Sequence, residues 1–387
     1  MFASLQAELD QRTADGLSRQ RRLLDSAQGA HVKVDGREVL SFCSNDYLGL
    51  ANHPELIAAL QEAATRSGVG SGASHLITGH HRYHHELEQA LAAFVGLPAA
   101  LSFSTGYMAN LAVITALMGR KHAIFADKLN HASLNDAAVL SRAELNRYPH
   151  NDLPALENML RTSQATRKLV VADAVFSMDG DLAPVSELLA LCERHDAWLM
   201  LDDAHGFGVM GEKGRGVLSH FQVASKRIIY MATLGKAAGV SGAFVAGEPV
   251  LIDYLMQNAR TYIYTTATPP ALSATLLAAL KIIEQEDSRR VHLKQLINLL
   301  KSNLRLQRWQ LMDSSTAIQP VLVGSNEEVL RLSEYLLTQG ILVPAIRPPT
   351  VPRGSARLRI SLSAAHSVDD VQRLIATVQS AEKVMAI

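Results

Sequence analysis

Cysteine is nearly absent. The 387 residues include only Cys43 and Cys192, far apart and each in an apolar setting. That excludes a disulfide framework and a cysteine-rich metal site, and reads as two buried free thiols in a reducing compartment. Charge of one sign is missing too: 37 Lys plus Arg balance 37 Asp plus Glu, so no bulk field points to nucleic acid or an anionic membrane. No apolar stretch is long enough to span a bilayer, and Met1 to Asp10 lacks a basic segment followed by an apolar core. A cytoplasmic protein with neither nucleic acid nor membrane as partner is expected. Internal repeats, low-complexity tracts and flexible linkers are also missing. What the chain has is apolar bulk, 48% hydrophobic against 19% charged, enough to bury a large core.

Residues 1–24 read as an amphipathic helix ending in the basic cluster Arg19, Arg21 and Arg22. His31-Val32-Lys33-Val34 and Arg37-Glu38-Val39-Leu40 flank Asp35-Gly36, a pair that supplies the positive-φ turn of a hairpin. Helical stretches near 54–66, 81–95, 106–118, 132–140, 152–162 and 184–194 then interleave with apolar runs near 99–103, 122–126, 167–173, 197–202, 226–232 and 241–246. This alternation predicts a mostly parallel sheet covered by helices on both faces. A helical region over 270–307 leads into strands near 317–323, 341–343 and 357–362, and helices near 326–339 and at the C-terminal end, the texture of a small α+β domain. The predicted division is 1–45 (helix and hairpin, packing with the small domain), 46–285 (large domain) and 286–387 (small domain).

Lys236 lies in Thr233-Leu234-Gly235-Lys236-Ala237-Ala238-Gly239, a small-residue turn straight after an apolar run. Trp198-Leu199-Met200-Leu201 likewise runs into Asp202-Asp203-Ala204-His205-Gly206, so a carboxylate and an imidazole emerge together at a strand end. Lysine, aspartate and histidine at strand ends point to pyridoxal phosphate: the amine carries the cofactor as a Schiff base, and the carboxylate keeps the pyridine nitrogen protonated. Taken singly, each feature also fits a solvated lysine or an acidic helix cap.

Four further segments occur in order with these two: Ser44-Asn45-Asp46-Tyr47-Leu48-Gly49-Leu50, Phe103-Ser104-Thr105-Gly106-Tyr107-Met108-Ala109-Asn110, Phe176-Ser177-Met178-Asp179-Gly180-Asp181 and Ile346-Arg347-Pro348-Pro349-Thr350-Val351-Pro352. The set resembles the α-oxoamine synthases over almost the whole chain. The resemblance implies an α/β PLP-dependent transferase fold of type I (aspartate-aminotransferase-like), a homodimer, and decarboxylative condensation of an amino acid with an acyl thioester. Gly70-Ser71-Gly72-Ala73-Ser74-His75-Leu76 and the Arg-Pro-Pro-Thr-Val-Pro run favour the branch that joins L-alanine to pimeloyl-CoA or pimeloyl acyl carrier protein. A branch joining glycine to a short acyl-CoA is the alternative.

The resemblance also implies roles. Lys236 anchors the cofactor and shuttles the α-proton, Asp202 pairs with the pyridinium nitrogen, and Asp203 is structural. His205 and Ser177 hydrogen-bond the phenolic oxygen, while His131 stacks on the ring. Gly106 and Tyr107 open a helix after a strand, so free N–H groups and the helix dipole face the phosphate, with help from Thr233 and, across a dimer interface, Thr265. Arg359 grips the amino-acid carboxylate, aided by Asn45; Arg357, on the same strand face, is expected to be solvated. Thr350 and Arg19, chosen over Arg21, contact the acyl substrate. The run His80-His81-Arg82-Tyr83-His84-His85 offers paired imidazoles, but no Glu follows the first to complete a hydrolase motif, so no metal is expected. Ala172-Asp173-Ala174 departs from the Glu-containing sequence common in relatives at that point.

Overall fold

The computed structural model describes residues 2–385. In chain order the strands are β1 (His31–Val34), β2 (Arg37–Ser41), β3 (Ala99–Phe103), β4 (Ala123–Asp127), β5 (Glu144–Tyr148), β6 (Lys168–Asp173), β7 (Trp198–Asp202), β8 (Ile228–Thr233), β9 (Ala243–Gly247), β10 (Gln310–Leu311), β11 (Ile318–Gly324), β12 (Ile341–Leu342), β13 (Ala345–Ile346) and β14 (Ala356–Ser361). Contacts divide the chain into two compact units: residues 50–177 with 182–290, and residues 1–49 with 178–181 and 291–387.

The first unit is built on a seven-stranded sheet in the order β3-β9-β8-β7-β6-β4-β5. Strands β8, β7, β6, β4 and β5 run parallel, and β9 is antiparallel to both its neighbours. Parallel strands are covered on both faces and therefore read as unbroken apolar runs; Leu169-Val170-Val171 of β6 and Leu199-Met200-Leu201 of β7 are all at most 1% exposed. Strand β5 was not expected from sequence. Its Glu144 and Arg147 are exposed because it forms the sheet edge, where polar side chains discourage further pairing. Asp173 and Asp202 lie side by side in register at the ends of β6 and β7. The C-terminal ends of such strands are where open α/β sheets hold their ligands.

In the second unit β1 and β2 form the expected hairpin, with Asp35 at φ 50° and Gly36 at φ 75°, and β12 adds parallel to β2. A four-stranded antiparallel sheet, β10-β11-β14-β13, lies in the same unit. The N-terminal helix is shorter than the sequence pattern implied, Ala3–Ala14. Gly16 at φ 65° turns the chain, with Leu17 N–H bonding back to Arg12 O at 2.8 Å, a left-handed stop that ends the helix. Ser4 to Ala14 are exposed throughout, so the predicted amphipathic face packs on nothing within this unit. The region expected as one long helix is two, Pro270–Gln285 and Asp287–Asn303, broken at Glu286. Among the described residues no helix is long and apolar enough to cross a membrane.

Candidate active site

A cavity of about 210 Å³ opens at the C-terminal ends of β6, β7 and β8. Eight residues singled out from sequence line it: Gly106, Tyr107, His131, Ser177, Asp202, His205, Thr233 and Lys236. Lys236 sits on a turn closed by Leu234 N–H to Gly242 O (2.8 Å) and Gly239 N–H to Lys236 O (2.9 Å). Gly239 has φ 71°, and a Cβ there would lie 2.6 Å from the backbone of Leu50 and Ala51, so only glycine closes this turn. Lys236 Nζ stands 2.8 Å from His205 Nε2.

Strand alternation separates Asp202 from Asp203. Asp202 faces the cavity, where Oδ2 accepts from Asn110 Nδ2 at 2.8 Å and Oδ1 from Ala204 N–H at 3.1 Å. Asp203 turns into the interior, fully buried, and its Oδ2 accepts from Tyr230 Oη–H (2.7 Å) and Val217 N–H (2.8 Å). Burial pushes its carboxyl up to about 7, against the pull of those hydrogen bonds. A Cβ on Gly216 would come within 2.3 Å of Asp203 Oδ2, so the glycine makes room for the carboxylate.

His131 caps the helix Ala132–Ser141. Its Nδ1 meets Ser133 Oγ at 2.7 Å, and its N–H donates to both oxygens of Asp173 at 3.2 Å. Burial holds the imidazole below its ordinary range. Asp173 is pushed well above the usual carboxylate range, first by burial and then by the charge of Asp202. Thr105 caps the helix Gly106–Leu117 by accepting from Met108 N–H at 3.2 Å, leaving the first N–H groups of the helix pointing outward. Tyr107 Oη bonds to Asp136, and Thr233 Oγ donates to Gly242 O at 2.9 Å.

Asn110 and Ser133 also line the cavity without having been expected there, and Asp173 joins them from the segment where the sequence departs from its relatives. Asn110 had a signal: it is an amide inside an otherwise apolar helix, it is 1% exposed, and it joins Asp202 to Ser133 Oγ (2.8 Å).

In the other unit Arg359 is 5% exposed and donates to Asn45 Oδ1 at 3.1 Å and Ser361 Oγ at 2.7 Å, so these two predicted residues meet. Tyr47 Oη–H also donates to Asn45 Oδ1, at 3.2 Å. Arg357 is not solvated, as had been expected. It is 3% exposed and paired with Asp179 at 2.6 Å, because the loop 178–181 folds into this unit and supplies a carboxylate that strand periodicity alone could not reveal. Arg19 and Thr350 are exposed. Thr265 is half-buried between the helices Arg260–Ile263 and Pro270–Gln285 and does not line the cavity.

The histidine run is mostly committed to structure. His81 caps the helix Arg82–Val95; His84 accepts from His81 N–H at Nδ1 (2.9 Å) and holds Thr268 O with Nε2 (2.8 Å). His75, His80 and His84 each bring a ring nitrogen within 4.8 Å of the others. His75 and His80 already share a bond at 3.0 Å, so a metal would have to displace these contacts.

A family model described as aminotransferase class I and II matches residues 37–378. A protein of Methylobacillus flagellatus named 8-amino-7-oxononanoate synthase is 65% identical over 97% of this chain and 95% of its own length. The chain belongs to the 8-amino-7-oxononanoate synthase family. A relative of the same name from Nitrosomonas europaea is 62% identical over 97% of each chain. Among solved structures, a serine palmitoyltransferase from S. paucimobilis with a bound PLP–myriocin aldimine superposes with a TM-score of 0.93 at 30% identity, covering 100% of this chain and 98% of that one. An 8-amino-7-oxononanoate synthase from Francisella tularensis gives 0.78 at 30% identity, covering 90% and 99%. The fold is thus the PLP-dependent type expected from sequence. It is common to synthases of different products, and the family assignment rests on residue identity. The donor set in the cavity suits the cofactor of this fold: an amine, a hydrogen-bonded carboxylate, an imidazole wall and a helix N-terminus. Gly106 borders the cavity, and a Cβ there would make only ordinary contacts, 3.8–3.9 Å, with Met231 and Thr233.

Proposed function

We propose that this protein is a pyridoxal 5′-phosphate enzyme that condenses L-alanine with a pimeloyl thioester, releasing carbon dioxide and 8-amino-7-oxononanoate for biotin synthesis. The observation that carries this reading is the 65% identity over nearly the full chain, joined to an intact set of candidate catalytic groups. The bound cofactor supplies an electron-poor ring that stabilises negative charge on the alanine Cα. Lys236 would hold the cofactor through Nζ, and the same amine, beside the alanine Cα, would carry the α-proton away and back. His205, 2.8 Å from Nζ, keeps the amine located and with Ser177 binds the phenolic oxygen. Asp202, held by Asn110 and Ala204 N–H, keeps the pyridine nitrogen protonated. His131 stacks on the ring. Gly106 and Tyr107 N–H groups and the Thr233 hydroxyl bind the phosphate.

Arg359, steadied by Asn45, grips the alanine carboxylate with its two-pronged guanidinium and so selects which Cα bond faces the base. Arg19 and Thr350 contact the acyl substrate. The enzyme works as a cytoplasmic homodimer in which Thr265 reaches the partner's phosphate, and the acyl group arrives on coenzyme A or acyl carrier protein. Mass spectrometry of products from alanine and glycine, each offered pimeloyl and acetyl thioesters, tests the reading. Alanine with the pimeloyl thioester should give 8-amino-7-oxononanoate. Product from glycine and acetyl-CoA alone would replace this reading with a glycine C-acetyltransferase.

A further inference from the structure

Three imidazoles meet in the first unit, away from the residues assigned to the cofactor. His75 opens the single-turn π-helix His75–Gly79, His80 follows it, and His84 lies in the helix Arg82–Val95. Each brings a ring nitrogen within 4.8 Å of the other two, and among the described residues no other group of histidine, cysteine or carboxylate side chains gathers in this way. The histidine run 80–85 gave no such signal by itself, because His75 lies outside it.

The spacing of the rings is that of ligands on one ion. A tetrahedral zinc about 2.0–2.1 Å from each nitrogen sets the ring centroids about 5 Å apart. Here they are 5.2 Å apart for His75 and His80, 5.0 Å for His75 and His84, and 5.8 Å for His80 and His84. His75 and His80 aim Nδ1 at Nδ1 across 3.0 Å, close to the roughly 3.3 Å between two nitrogens on such an ion. Neutral imidazoles face each other this way only by sharing one proton, and moving it to the other nitrogen of its ring frees both lone pairs for a cation.

The surroundings hold the rings in place. His75 stacks on Tyr262 with centroids 4.8 Å apart, and His84 Nε2 holds Thr268 O at 2.8 Å, the outer bond that a metal-ligating histidine ordinarily makes. Gly79 closes the π-turn where a Cβ would lie 2.1 Å from Ala73 O, and such turns are frequent at functional sites. Burial keeps all three imidazoles below their ordinary range, His75 at about 4, so they are neutral and ready to ligate at pH 7. His75 and His84 are buried while His80 is exposed, which gives an ion its entry and leaves room for a water as fourth ligand. The cost falls on His84, whose Nδ1 must release the N–H of His81, now at 2.9 Å.

We propose that His75, His80 and His84 form a zinc site, three imidazoles with an open fourth position, that ties the π-turn His75–Gly79 to the helix Arg82–Val95. Chelator-treated holoenzyme is titrated calorimetrically with zinc chloride, and with cobalt(II) as a spectroscopic stand-in. One ion per chain should bind, cobalt should show the visible bands of a tetrahedral ion, and zinc should raise the melting temperature by mass action. His80 is exposed, so His80→Ala should fold as wild type yet weaken zinc binding by at least about 100-fold, beyond the 10–100-fold typical of outer-shell partners. His75→Gln, which keeps bulk against Tyr262, should do the same. His85→Ala, next to the cluster but not in it, should leave the affinity and the melting shift unchanged. Absence of saturable binding in wild type would overturn the site, as would full affinity in His80→Ala. Equal losses in the His80 and His85 variants would also overturn it, since they would mark a diffuse histidine-rich surface. None of these readouts involves turnover, so they stand apart from the reaction proposed above.

Discussion

Asp202 and Asp203 are adjacent at the end of β7, so strand geometry alone sends one into the cavity and the other under Tyr230. Arg357 and Arg359 on β14 are two residues apart and share a face, so the same geometry cannot tell them apart. Their partners do: Asp179 at 2.6 Å neutralises Arg357, while Arg359 meets the amide oxygen of Asn45 and the hydroxyl of Ser361. Neighbouring like charges can thus be sorted by backbone periodicity when they differ in parity, and only by tertiary contacts when they do not.

Lys236 gives the largest effect. Lys236→Ala should cut turnover by at least about 10³-fold, since anchor and proton carrier vanish together. Borohydride followed by peptide mapping should place the label on Lys236 in wild type, and a label on Lys226 or Lys281 would break the assignment. Next, Arg357→Ala removes a buried guanidinium and leaves the half-buried Asp179 without its partner, which should cost about 1–3 kcal/mol of stability, read by chemical denaturation. A loss well below 1 kcal/mol would return Arg357 to the solvated role first expected for it.

The aspartates separate more finely. Asp202→Asn should lower turnover about 10²-fold with little change in melting temperature, and near-normal α-proton exchange of alanine in this variant would contradict its role. Asp203→Asn should be much milder in rate but visible in the pH dependence of stability. The Asp203 carboxyl is raised from an ordinary 3.8 to about 7 in the folded chain. The folded state therefore holds this proton more tightly, and the resulting stability is complete below pH 3.8 and is lost as pH climbs to about 7. Between pH 5 and 7 the loss is about 2 kcal/mol. Asn cannot ionise, so the variant should gain on wild type by that amount across the window; parallel melting curves at all pH values would refute the shift. The smallest effect is Arg359→Lys, which keeps the charge and loses the fork. Spectroscopic titration should show alanine binding weakened by about tenfold. If Arg357→Lys weakened alanine binding more, the carboxylate grip would have to be redrawn around the other arginine.

Much of this was legible in the residues. The strands β3, β4, β6, β7, β8 and β9 announce themselves as short apolar runs because both faces are buried, and eight of the residues expected at the site border one cavity. Strand β5 was illegible because an edge strand carries polar side chains, and the N-terminal helix was overextended because the stop at Gly16 lies inside a run of otherwise permissive residues.

By itself the sequence determined what is local and periodic: the hairpin at Asp35-Gly36, the alternation of parallel strands and helices, and the lysine turn. Only the tertiary structure decided which distant groups meet. It brought Asn110 and Ser133 behind Asp202, set Asp173 beside it in register, and gave Arg357 to Asp179. The physical reason is that periodicity fixes the direction in which a side chain leaves its own backbone, whereas the charge it finds there is set by chain segments tens or hundreds of residues away.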